Sequence, residues 1–105
     1  MGQCLVYMTA ETEEEAARIG TALVAERLAA CVNILGPIRS LYWWNGAVRD
    51  EGEVAFLAKT EEDRFPALRD RVLALHSYDA PCVVALPITD GAPDFLSWIT
   101  ANTRG

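Results

Sequence analysis

Apolar residues fall along this chain in short blocks of two kinds, some spaced for helices and some unbroken. In "QCLVYMT" the residues Leu5 to Met8 are apolar on both faces, which predicts a short strand over Gln3–Thr9. "TEEE" at 12–15 has capping-box spacing, the Thr12 hydroxyl and Glu15 carboxylate satisfying opposed backbone donors. Its acids also sit where the helix dipole favours them. Ala16, Ile19, Leu23, Val24 and Leu28 then mark one stripe of a helix running to about Ala29.

"CVNILGPIRSLYWWNGAV" at 31–48 is too rich in β-formers, and too punctuated, for a helix. Gly36-Pro37 should bend or bulge a long strand. Two turns then compete. Asn45-Gly46 is the stronger hairpin dipeptide, but a turn there would leave Glu53–Thr60 without a partner. A tip at 49–52 pairs Val48 with Glu53 and Trp44 with Leu57, and is the turn expected, with Gly46 as a bulge.

Phe65, Leu68, Val72 and Leu75 repeat at helical spacing, with Pro66 tolerated in the first turn. "SYDAP" reads as a loop and "CVVALPIT" as a fourth strand. A short last helix should start near Pro93 and dock through Phe95, Trp98 and Ile99. The order β-α-β-β-α-β plus a helix is the split βαβ pattern of an α+β, ferredoxin-like sandwich with a long β2-β3 hairpin. The expected sheet order is 4-1-3-2 in one domain spanning residues 1–105, with both main helices on one face.

An antiparallel sheet with one wet face should alternate apolar and polar residues. These strands do not. Leu5 to Met8, Val54 to Leu57 and Val83 to Leu86 are unbroken, while two helices can cover one face only. About five large side chains left wet would forfeit on the order of 10 kcal/mol, comparable to a domain's net stability. A homo-oligomer is therefore expected, with Tyr42, Trp43, Trp44 and Trp98 in subunit contacts. The alternative is that the tryptophans and last helix fold back over their own sheet.

Composition narrows the function. The 105 residues carry 15 acids and 9 bases, a net charge of −6. The bases form no stripe, so a nucleic-acid partner is not expected. The apolar runs are far short of the ~20 residues of a membrane helix, and the N-terminus lacks the pattern of a signal peptide. Three scattered cysteines suit free thiols in a reducing cytosol. One His and no Gly-x-Ser-x-Gly argue against a hydrolase triad, and Arg39 and Asn33 are only loose candidates for an acylphosphatase-type site.

The segments "ERLAACVNILGPIRSLYWWNGAV", "EVAFLAKT", "HSYDAP", "VVALPIT" and "DFLSWI", in that order, resemble the CutA divalent-cation-tolerance family over nearly the whole chain. The resemblance implies a ferredoxin-like subunit in a tight homotrimer with a plan similar to PII signalling proteins. It also implies a cytoplasmic protein of divalent-metal, especially copper, tolerance, with no well-established enzymatic activity and no required cofactor. In some bacterial relatives copper is held by a cysteine ending the first strand and two histidines before the fourth. Met8 stands at that cysteine position, and Leu75 and His76 stand at the histidines, so the family's metal site is altered.

One soft-metal constellation remains. Strands one and four should be antiparallel neighbours, bringing Met8 near Cys82, with His76 closing the preceding helix. Thioether, thiol and imidazole together suit Cu(I). Against this stand core packing for Met8 and Cys82, and helix capping for His76. The acids at 50–53 and 61–63 lack the spacing of a calcium loop. The alternative function is a PII-like sensor binding an organic anion at subunit interfaces, where Tyr42, Trp43, Trp44, Lys59 and Tyr78 would meet. A structural hub using the aromatic hairpin is a third.

Overall fold

A computed structural model describes residues 2–104 of the protein. The elements are β1 (Gln3–Ala10), α1 (Glu13–Ala25), β2 (Cys31–Trp44), β3 (Ala47–Glu61), α2 (Phe65–Leu75), β4 (Val83–Pro87) and α3 (Pro93–Asn102), with a 3-10 turn at Glu62–Arg64 before α2. The strands form one antiparallel sheet in the order β2-β3-β1-β4, as the chain pattern predicts.

Strand alternation divides the sheet into two faces. Cys4, Val6, Met8 and Ala10 of β1, with Val54, Phe56 and Ala58 of β3, point toward α1 and α2 and are buried with Ile19, Leu23, Leu68 and Val72. The other face carries Leu5, Tyr7, Leu57, Val84 and Leu86, none of them fully buried. Helix α3 lies across one end of that second face. Gln3 Nε2 donates to the Leu96 carbonyl at 3.3 Å and to the Thr100 hydroxyl at 3.0 Å. Thr100 and Thr103 in turn donate to the buried Glu61 carboxylate at 3.0 and 3.3 Å, and Arg104 pairs with it at 2.7 Å.

Three expectations need correction. The hairpin turns at Asn45-Gly46 and not at 49–52: Trp44 pairs with Ala47, and both turn residues have positive φ, 49° and 77°. Those angles suit the tight turn that matches strand twist. The segment Val54–Glu61 keeps its partners all the same, because β3 is 15 residues long and pairs with β2 and β1 together. The bulge falls between Ile34 and Gly36, where Gly36 has a φ of 113°.

Helix α1 stops at Ala25, short of Ala29. Arg27 takes the left-handed conformation (φ 58°), its amide donating to Val24 and that of Leu28 to Leu23. This is a Schellman stop with arginine where glycine is usual, so the sequence carries no visible punctuation. Last, of the three docking residues predicted in α3, only Ile99 is fully buried. Phe95 and Trp98 stack on each other at 5.5 Å and stay exposed.

Candidate functional site

The hairpin extends past the rest of the sheet. Residues Ala47–Glu53 of β3 pair with β2 alone, since β1 reaches only to Val54. This two-stranded arm has two different faces. Cross-strand pairs share a face, so Tyr42 with Arg49, Ser40 with Glu51, and Trp44 with Ala47 lie on one side. Trp43 with Val48, and Leu41 with Asp50, lie on the other. Leu41, Trp43 and Val48 are 66%, 74% and 62% exposed, too much for the arm to be covering them itself. Trp43 and Trp44 therefore face opposite sides of the arm.

The first side of the arm walls a cavity of about 470 Å³. Tyr42, Trp44, Arg49, Glu51 and Glu53 come from the arm. Thr9 and Cys82 form the base, and Ser77, Tyr78, Asp79 and Ala80 of the loop after α2 close the far side. The Tyr42 hydroxyl donates to Glu51 Oε1 at 2.6 Å. Arg49 Nε points to the Trp44 carbonyl at 3.4 Å. Burial first, and then the Glu53 carboxylate, pushes the Tyr78 phenol and the Cys82 thiol above their ordinary ranges.

The loop wall is held by a buried network. Glu15 Oε2 accepts from the Ser77 amide at 2.8 Å, and its Oε1 accepts from the Glu11 amide at 3.2 Å. The reverse arm of the capping box thus reaches Glu11 in place of Thr12, while Thr12 Oγ1 accepts from the Glu15 amide at 3.1 Å as the pattern requires. The His76 side chain is fully buried beside this group. Its Nε2 lies 2.7 Å from the Thr9 carbonyl, and its Nδ1 accepts the Tyr78 amide at 3.1 Å. Both ring nitrogens are thus engaged.

Met8, His76 and Cys82 lie in one region but do not converge. Met8 pairs with Val83 and points into the core, fully buried. Cys82 lies on the opposite side at the cavity base, its Sγ 4.0 Å from the Tyr7 carbonyl. A metal at His76 Nδ1 would have to displace the Tyr78 amide. Arg39 is bidentate to Asp50 at 2.8 and 2.6 Å, and Asn33 accepts from Lys59 at 2.7 Å, so these two share no site. Of the aromatic set expected to meet around a ligand, Tyr42, Trp44 and Tyr78 do so. Trp43 is on the other face of the arm, and Lys59 is near Phe95 and α3 at the far end. Sequence reasoning missed Arg49, Glu51 and Glu53 as cavity residues because a tip at 49–52 makes the first two turn residues and puts Glu53 opposite Val48 at the strand start. The Asn45-Gly46 register would have aligned them with Tyr42 and Trp44.

Fold and arm together define a class: a ferredoxin-like α+β subunit whose second sheet face is half covered and whose hairpin projects beyond it. Residues 4–102 match the sequence model of CutA1, the divalent ion tolerance protein, and the chain belongs to that family. It is 48% identical over 99 residues to the divalent-cation tolerance protein CutA of Thermus thermophilus, covering 94% of this chain and 96% of that one. Among solved structures it superposes on the periplasmic divalent cation tolerance protein CutA of Archaeoglobus fulgidus with a TM-score of 0.94 at 43% identity, covering 97% and 99% of the two chains. On CutA1 of Oryza sativa the TM-score is 0.95 at 40% identity, with 99% and 95% covered.

Proposed function

We propose that this CutA-family chain works as a cytoplasmic homotrimer in the response to divalent metal ions, copper among them, without catalysing a reaction. The observation that carries the assembly is the uncovered apolar surface. Leu41, Trp43 and Val48 on the arm, with Val84, Leu86, Phe95 and Trp98 on the second sheet face and α3, are all between 42% and 74% exposed. Covering them contributes on the order of 1 kcal/mol each, and isolated two-stranded arms are marginal on their own. Neighbouring copies meeting through these faces supply the cover. The interface role fits Trp43 and Trp98, and Tyr42 and Trp44, which also line the cavity, stay exposed enough to share it.

The metal response is supported by the family and by the names of its relatives. The compartment is supported by three free cysteines, which suit reducing surroundings; the relatives themselves are described as periplasmic in Archaeoglobus and chloroplastic in rice. Thermal unfolding of the reduced protein with Cu(I), Cu(II) and Zn(II) tests the metal reading. A copper-dependent rise in Tm supports it, and identical curves with every ion contradict it. The sensor reading gains from the cavity itself, but three carboxylates against one guanidinium oppose an organic anion there.

A further inference from the structure

The cavity beneath the arm has features that the metal-tolerance reading does not use. Its volume, about 470 Å³, is in the range of metabolite sites. Three rings, those of Tyr42, Trp44 and Tyr78, line it together with the carboxylates of Glu51, Glu53 and Asp79. The one cationic side chain in the lining, Arg49, has its Nε turned to the Trp44 carbonyl. Aromatic faces and carboxylates attract the same kind of guest, a cation with apolar flesh. A bare metal ion fits less well. Among the described residues no three His, Cys, Asp or Glu side chains come close enough to hold one, and rings offer a hard ion nothing that water does not.

We propose that this cavity binds an organic ammonium ion, its charge facing Glu53 and Asp79 and its carbon substituents lying against Tyr42, Trp44 and Tyr78. The site is built by two distant parts of the chain. The arm supplies two of the rings and two of the acids, and the 77–80 loop supplies the third of each. The buried Glu15–Ser77 contact holds that loop in place. The upward push of Glu53 on both Tyr78 and Cys82 is consistent with a negative field inside the cavity. Solvent reaches the opening, so a small ligand enters without unfolding the arm. The proposal is independent of the copper reading and stands or falls on its own test.

That test is calorimetric titration of the full chain with choline and with 3,3-dimethylbutan-1-ol, its uncharged isostere, while intrinsic tryptophan fluorescence is followed in parallel. The expected result is saturable choline binding, with the neutral isostere at least about tenfold weaker because only the charge differs. Glu53→Gln, and Glu51→Gln as a second variant, should each weaken choline by about fivefold or more. Glu26→Gln removes an acid outside the cavity and should leave binding unchanged. Equal affinity for choline and the neutral isostere would overturn the proposal. So would full binding by both cavity variants. No binding by the folded protein up to about 10 mM choline would also overturn it, as happens if a neighbouring copy fills the space.

Discussion

The Ser77 amide donates to Glu15 Oε2 at 2.8 Å, tying the start of α1 to the loop that follows α2. Burial alone would raise the Glu15 carboxyl, but hydrogen bonds from Ser77 and Glu11 outweigh it and hold the group below its ordinary value of 4.5. The folded state therefore prefers the ionised form. The stability this adds is fully present above pH 4.5 and is lost as pH falls through the lower folded value. Glu15→Ala should cost about 1–2 kcal/mol at pH 7 by removing the acceptor of two part-buried amides, those of Ser77 and Glu11. In urea unfolding, the gap between variant and parent should narrow below pH 4. A gap that is constant down to pH 3 would contradict this role.

Arg27 ends α1 with a φ of 58°, a conformation that costs a residue with a Cβ about 1 kcal/mol. Its amide and carbonyl make the local contacts, the carbonyl accepting from Arg64 at 3.3 Å, so the side chain is dispensable there. Arg27→Gly should stabilise the protein by about 0.5–1 kcal/mol. A lower denaturation midpoint in the variant would show that the Arg27 side chain does more than terminate the helix.

The three thiols should differ in reactivity. Cys4 is buried and 2% exposed, and that burial, with the Glu62 charge second, pushes its thiol up to about 11. Thiolate is the reactive form, so at pH 8 in native protein Cys4 should react with a maleimide or iodoacetamide at least about 100-fold more slowly than the partly exposed Cys31. Equal labelling without unfolding would rule out the packed end of β1. Since the folded state keeps its proton longer, this group also makes stability fall as pH rises past 9.0.

Much of this fold is written in the apolar pattern. The unbroken strands, the Ala16, Ile19 and Leu23 part of the α1 stripe and the Pro66 and Pro93 helix starts lie where spacing puts them, while Val24 is exposed and Leu28 falls beyond the helix; the 4-1-3-2 order follows from the split βαβ plan. The arm was harder to read. Arg49, Asp50 and Glu51 look like turn residues, yet they belong to a strand, because an arm wet at its margins tolerates charge on both faces. Arg39–Asp50 and Tyr42–Glu51 pairings satisfy part of that charge across the strands. A turn at 49–52 also separates the cavity's acids, since Glu51 and Glu53 then share no strand face. Met8 illustrates a different limit. Sequence puts it beside the start of β4, but only the strand's alternation shows that its thioether enters the core while Cys82 turns the other way.

The arm's exposed Leu41, Trp43 and Val48, and the half-covered second sheet face, ask for neighbouring copies of the same chain. Sedimentation equilibrium of the purified protein at low micromolar concentration measures this directly. A single species of three times the 11.5 kDa chain mass is the predicted result. A stable species at 11.5 kDa would mean that these surfaces face water, and would contradict the assembly on which the proposed function rests.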